Sequence, residues 1–242
     1  MNTGLVSITI TLYQGTIAVS FMSWLFMNLA MFYLNTYKMK IFFKFTSVLW
    51  LFLTCFVSLI GAEESFIPKP PSLNATNYIL IDSVSGRILA ESGADERIEP
   101  ASITKVMTGY VVVDQISKGF VSLEDEVFIS EECWRKGGSK MFIREGTRVL
   151  LSDLIKGMVI QSGNDASCAI AEHVAVSEEG FVDLMQLYAK ELGMENTQFK
   201  NVSGWPDPEH FSSARDLALL TKNLIDKFPD HYSLYKDKYF TS

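Results

Sequence analysis

Two apolar patterns divide this chain. Up to residue 62 the apolar positions run on without a period, and residues 5–34 and 45–62 carry no charge at all. Beyond about residue 77 they become periodic, at spacings of two in some segments and three to four in others. Residues 78–82 and 87–90 flank Ser83-Val84-Ser85-Gly86 and predict a β-hairpin. Pro100 suits the first turn of a helix, which should run from Ser102 to Ser117 with Ile103, Val106, Met107, Tyr110 and Val113 on its apolar face and stop around Gly119. Residues 127–129 and 147–150 read as short strands, with a polar loop over 130–140 between them. Ser152 is the expected cap of a second helix, with Asp153 in its first turn and an end near Gln161. Residues 166–176 and 178–192 predict two more helices, the second introduced by Ser177 and closed by Gly193. Ser213 and Asp216 read as the start of a helix to Lys227, where Arg215 should support its own helix through Asp216 or a neighbouring carbonyl. Residues 238–241 predict the beginning of another strand. The order is a little sheet followed by many helices, without internal repeats.

Charge follows the same division. Residues 1–62 hold no acid and three bases, Lys38, Lys40 and Lys44, leaving 28 acids against 18 bases in the rest of the 242 residues. So acidic a body lacks the basic face that phosphate neutralisation needs, which excludes a nucleic-acid binder. Met39, Lys40 and Lys44 form a basic start, 48–59 an apolar stretch and Ile60-Gly61-Ala62 a small-residue end, the three parts of a secretory signal. On this reading 1–38 is an upstream extension, 39–62 the signal peptide and 63–76, rich in Pro and Ser, a linker. The competing reading makes 5–34 and 45–62 two membrane spans, with the lysines in a cytoplasmic loop. Both export residues 63–242 to the extracytoplasmic or periplasmic side, and an uncleaved N-terminus would attach them to the membrane. Export leaves Cys133 and Cys168 in an oxidising compartment, but Cys168 lies in an apolar helical run where a small buried thiol is also at home, so their pairing stays open. No zinc-ligand spacing occurs, no cofactor is implied, and His173, His210 and His231 read as packing or surface residues.

The candidate chemistry begins at Ser102 and Lys105. Three residues apart at a helix start, they emerge on one face within hydrogen-bonding reach. A serine nucleophile needs a base, and lysine serves if neutral; lowering its pKa from ~10.4 to near 7 costs about 4–5 kcal/mol, which calls for burial or another cation. The helix N-terminus would favour an oxyanion over Ser102. Ser-x-x-Lys alone is weak, and Ser233-Leu234-Tyr235-Lys236 is a second, structural match. What adds weight is order: Ser162-Gly163-Asn164 follows sixty residues later, at a junction between two predicted helices. A bland reading keeps Ser162 and Asn164 as helix caps, and Ser139 as loop structure.

The segments 77–89, 100–108, 138–142, 161–166 and 212–219 together resemble the low-molecular-mass penicillin-binding proteins that are D-alanyl-D-alanine carboxypeptidases, in the family's order over residues 75–242. The resemblance implies an α+β fold of the serine β-lactamase and penicillin-binding kind, an antiparallel sheet packed with helices plus an all-helical subdomain, over residues 77–242. It also implies roles. Ser102 would attack the penultimate D-alanine carbonyl of a peptidoglycan stem peptide and Lys105 would take its proton. Ser162 would relay a proton to the leaving amine, and Asn164 would hold the substrate amide and orient Lys105. β-Lactams would acylate the same serine.

One part of the pattern does not occur in residues 1–242: the Lys-Thr-Gly of an inner strand, which in the family faces the serine and supplies an oxyanion N–H. The expectation is therefore an incomplete sheet and an N-terminal fragment of a longer carboxypeptidase, inactive or barely active alone. Two rivals follow. A class A β-lactamase shares the serine but prefers Asp where Gly163 stands and needs a Glu-x-x-Leu-Asn loop, of which Glu195-Asn196 is a poor echo. A noncatalytic cell-wall-binding remnant would need no third motif.

Overall fold

The computed structural model describes residues 23–25, 27 and 72–241. The chain divides into two units, residues 1–69 and 70–242. The four described residues of the first are helical. The expected signal peptide and nearly all of the expected extension lie outside the described residues, among which no helix is long and apolar enough to cross a membrane.

In the second unit the order is β1 Tyr78–Ile81, β2 Ile88–Ser92, a 3₁₀ turn Ala101–Ile103, α1 Thr104–Ser117, β3 Glu126–Phe128, α2 Glu131–Arg135, β4 Arg148–Leu150, α3 Leu151–Gln161, α4 Asn164–Ala175, α5 Glu178–Glu191, α6 Ala214–Lys227, α7 Pro229–Tyr232 and a 3₁₀ turn Ser233–Lys236. β1 pairs antiparallel with β2, and β3 with β4, through Val127 opposite Val149. Among the described residues these are two separate two-stranded ribbons.

Helix α4 is the centre on which the others pack. Its first two turns, Asn164 to Ala171, are buried throughout, and it touches α1, α2, α3, α5 and β3. Ala166, Ser167, Ala169 and Ala171 explain this, because small side chains let five neighbours approach one helix from every side. Met107, Val111, Leu154, Ile155, Met158, Phe181 and Met185 fill the space around it. Helix α6 lies against β1 and α1, so the hairpin and α1 share one support.

Several expectations change. The polar stretch 130–140 is not all loop: Ser130 accepts from the Cys133 N–H at 3.1 Å, Glu131 and Glu132 occupy the first turn and Arg135 pairs with Glu131, so a five-residue helix forms that is too short to show a period. Ser152 does not cap α3, which leaves β4 directly at Leu151; the Ser152 N–H donates to the Leu123 carbonyl. Helix α4 starts at Asn164, two residues early. Residues 238–241 are coil rather than strand. Arg215 does not serve its own helix. Adjacent helical residues point about 100° apart, so Asp216 turns inward to accept from the Asn196 N–H and the Thr197 hydroxyl, while Arg215 reaches Asp95 at 2.6 Å and Glu91 at 2.8 Å beside β2. Ser177 and Ser213 do cap α5 and α6, each accepting from the N–H three residues on.

The question left open at the cysteines is resolved: Cys133 on α2 and Cys168 on α4 form a disulfide, with both residues fully buried. Of the histidines, His173 bonds Asp125 at 2.9 Å, whereas His210 and His231 are buried. His231 lies beside Gly109 and Tyr235, its Nε2 has no hydrogen-bond partner among the described residues, and burial pulls its pKa down to about 4.

Replacing both Cys133 and Cys168 by serine should lower the free energy of unfolding by about 3–4 kcal/mol, since the bridge closes a loop over a sequence separation of 35. Urea melts measure this, and a loss below about 1 kcal/mol would contradict it. His231 generates a second expectation. Unfolded it takes up a proton near pH 6.5 and folded only near 4, so stability should fall by up to about 3 kcal/mol as pH drops through that window and level off below it. Melts between pH 7 and 4 on the wild type and His231→Gln test this; an unchanged slope in the variant would exclude His231 as its source.

Candidate active site

The 3₁₀ turn before α1 carries Ser102 at an exposed position, and the two residues that follow the turn go into the core: Thr104 is fully buried and Lys105 is 5% exposed. The turn starts under strain, with Ala101 at φ +46°, a left-handed conformation costly for a residue with a Cβ. This geometry leaves Ser102 facing out while the first turn of α1 sinks. Lys105 Nζ lies 3.2 Å from Ser102 Oγ and donates to the Ser203 carbonyl at 2.8 Å. Burial lowers the Lys105 pKa from 10.5 to about 8, so about a tenth of the amine is neutral at pH 7.

The Ser203 carbonyl comes from a segment that closes over α1. Thr108 donates to the Val202 carbonyl at 2.7 Å, and Thr104 Oγ1 meets His210 Nε2 at 2.8 Å. The Lys200 N–H donates to His210 Nδ1, so Nε2 carries the proton and Thr104 accepts it. Burial holds the His210 pKa below its ordinary value and keeps the ring in that neutral form. Gly204, at φ +80°, lets the segment come in: a Cβ there would lie 1.7 Å from the Ala101 carbonyl oxygen.

Ser162 and Asn164 sit at the junction of α3 and α4. Ser162 closes α3 in a left-handed conformation, φ +55°, and the Gly163 N–H returns to the Gly157 carbonyl. Asn164 is buried. Its side-chain amide donates to the Gly137 carbonyl at 2.7 Å and its backbone N–H to the Ser139 carbonyl at 2.8 Å. Asp165 beside it accepts from the N–H groups of Met141 and Phe142 at 2.8 and 2.9 Å, and of Ile143 at 3.3 Å. The head of α4 thereby fixes the whole 137–143 loop, and the disulfide one turn along α4 holds the helix that precedes it.

The structure thus joins Ser102 to Lys105 directly. Among the described residues no hydrogen bond links Ser162 or Asn164 to either of them; the Lys105 amine donates to the Ser203 carbonyl, and the Asn164 amide to that of Gly137. Sequence reasoning missed Ser203, Asp165 and the Thr104–His210 pair. Asn201 followed by Gly204 is a turn signal that could have marked the segment, though not its place against Lys105.

A family model described as D-alanyl-D-alanine carboxypeptidase matches residues 64–242. The D-alanyl-D-alanine carboxypeptidase DacC of Escherichia coli (strain K12) is 44% identical over 196 residues, covering 78% of this chain and 49% of that protein. DacF of Bacillus subtilis (strain 168) is 40% identical over 66% of this chain and 43% of its own. Among solved structures, penicillin binding protein 5 from Haemophilus influenzae superposes with a TM-score of 0.71 at 39% identity, over 72% of this chain and 52% of that one. The D-alanyl-D-alanine carboxypeptidase DacD from Francisella tularensis gives 0.69 at 39% identity, over 73% and 43%. The chain spans about half the length of the curated relatives it matches.

Gly204→Ala should cost about 3 kcal/mol of stability, from a strained φ together with a collision against backbone that cannot swing aside. Thermal or urea unfolding measures it, and a cost under about 1 kcal/mol would mean that the segment does not sit this close to Ala101.

Proposed function

The chain belongs to the D-alanyl-D-alanine carboxypeptidase family, and on that premise we propose that its site is a serine acyl-transfer centre that removes the terminal D-alanine from peptidoglycan stem peptides and is acylated by β-lactams. The observation that carries this reading is the buried amine of Lys105, 3.2 Å from the Ser102 hydroxyl.

In its neutral form the amine accepts the Ser102 proton as Oγ bonds to the penultimate D-alanine carbonyl carbon. The resulting oxyanion is met by the Ser102 N–H at the head of its turn and by the dipole of α1 behind it. Collapse breaks the carbon–nitrogen bond, and the leaving amine of D-alanine takes a proton by way of Ser162. Asn164 aligns the substrate's peptide group. Water then attacks the acyl carbon, with Lys105 again taking the proton, and Ser102 is released. A β-lactam follows the first half of this course and stalls at the acyl-enzyme. This chemistry belongs outside the cytoplasm, where the acidic body would be carried by the apolar N-terminus.

No Lys-Thr-Gly occurs in residues 1–242, so acylation of this stretch should be slow, about 10²–10³-fold below that of a site with the second oxyanion donor.

Fluorescent penicillin tests the assignment. Label should attach to Ser102 and vanish in Ser102→Ala, while Lys105→Met should slow labelling about 10²–10⁴-fold. The deprotonated amine is the active form, so the rate should climb with pH around a midpoint of about 8. Label that persists in Ser102→Ala would overturn the nucleophile, and a rate flat from pH 6 to 9 would overturn the base. Rapid stoichiometric labelling would contradict the weak-activity proposal, and fast turnover of nitrocefin would favour a β-lactamase.

A further inference from the structure

A neutral amine has one lone pair and two N–H bonds, so to take the Ser102 proton it must be rotated until the lone pair faces Oγ. Rotation about the last bond of a lysine is nearly free, and one fixed acceptor is what stops it. That acceptor is the Ser203 carbonyl, 2.8 Å from Lys105 Nζ.

The direction of that carbonyl is set by the next turn of backbone, and a single side chain makes the turn. Asn201 Oδ1 accepts from the N–H groups of Gly204 at 2.8 Å, Trp205 at 2.9 Å and Ser203 at 3.2 Å, and from the Ser203 hydroxyl at 3.4 Å. Its Nδ2 donates to the Trp205 carbonyl at 2.9 Å. One amide thus bonds every residue from 203 to 205, all of them pointing inward on Asn201, so that the Ser203 C=O is left pointing outward. Two anchors on either side place this turn against α1: the Val202 carbonyl on Thr108, and Gly204 against Ala101.

We propose that Asn201 is a positioning residue for the acyl-transfer centre: through the 201–205 turn it aims the Ser203 carbonyl at Lys105 and so holds the amine in register with Ser102. This rests on the reading of Ser102 and Lys105 given above. Asn201 touches neither residue, and it acts on the reaction only through the carbonyl. Aspartate keeps the acceptor that organises the three N–H groups but turns a carboxylate oxygen toward the Trp205 carbonyl in place of the donated bond, whereas alanine gives up all of these bonds.

The test follows the coupling itself, using the full chain labelled with ¹³C at the lysine Cε and the serine carbonyl carbons. In the wild type the Ser203 carbonyl shift should move with pH at the same midpoint as Lys105 Cε, since the amine donating to it changes charge. In folded Asn201→Ala, Lys105 should still titrate while the Ser203 carbonyl no longer follows it. In Asn201→Asp the coupling should persist, and this variant decides the matter if the alanine variant does not fold. A folded Asn201→Ala in which Ser203 still tracks Lys105, or a folded Asn201→Asp in which it does not, overturns the proposal. The carbon titration needs no turnover, so it reads the turn even in a chain that takes up no β-lactam. Where penicillin does label the protein, Asn201→Ala should slow acylation about 10- to 100-fold, and Asn201→Asp should stay within about threefold of the wild type.

Discussion

The site depends on one arrangement: an amine taken out of water and given two neighbours, a hydroxyl and a peptide carbonyl, with no carboxylate among its hydrogen-bond partners in the described residues. A carboxylate would satisfy the charged form and hold the proton on it. A carbonyl satisfies an N–H in either protonation state, so burial is free to press the amine toward neutrality. The rest of the fold maintains that condition. Helix α1 sinks into the core within one turn of the exposed serine, and the segment from Lys200 to His210 shuts the amine off from solvent.

The head of α4 is organised on the opposite principle, by charge. Asp165, buried at the head of α4, gathers three backbone N–H groups from one loop, which is how a buried carboxylate is made tolerable. Asn164 next to it holds the same loop through the Gly137 and Ser139 carbonyls. Because the small side chains of α4 bring its neighbours close on every side, its head cannot shift without disturbing five of them. The junction of Ser162 and Asn164 is consequently held in one place, with Ser162 itself in a left-handed backbone conformation.

What the sequence disclosed was local. Ser102 and Lys105 are one helical turn apart, and Ser162 and Asn164 adjoin a helix start, so spacing alone could nominate them. The caps Ser177 and Ser213 were legible for the same reason. Ser203 was not, because the atom that matters is a backbone carbonyl, which every residue possesses. The Thr104–His210 bond spans 106 positions and has no periodic signature. The cysteines could not be paired because their meeting requires α2, a helix too short to announce itself. Arg215 was misjudged because charged neighbours in sequence were weighed and those brought up by β2 could not be.

The first two turns of α1 draw three of their side-chain bonds from far along the chain: those of Thr104, Lys105 and Thr108 span 106, 98 and 94 residues. A ribosome that has emitted α1 alone therefore presents a serine beside a solvated, protonated ammonium, and such a hydroxyl is inert. Closing loops of this size is slow in comparison with local helix formation. On the proposed reading of Ser102, reactivity thus arrives as a late event of folding, and the hydroxyl stays harmless through synthesis.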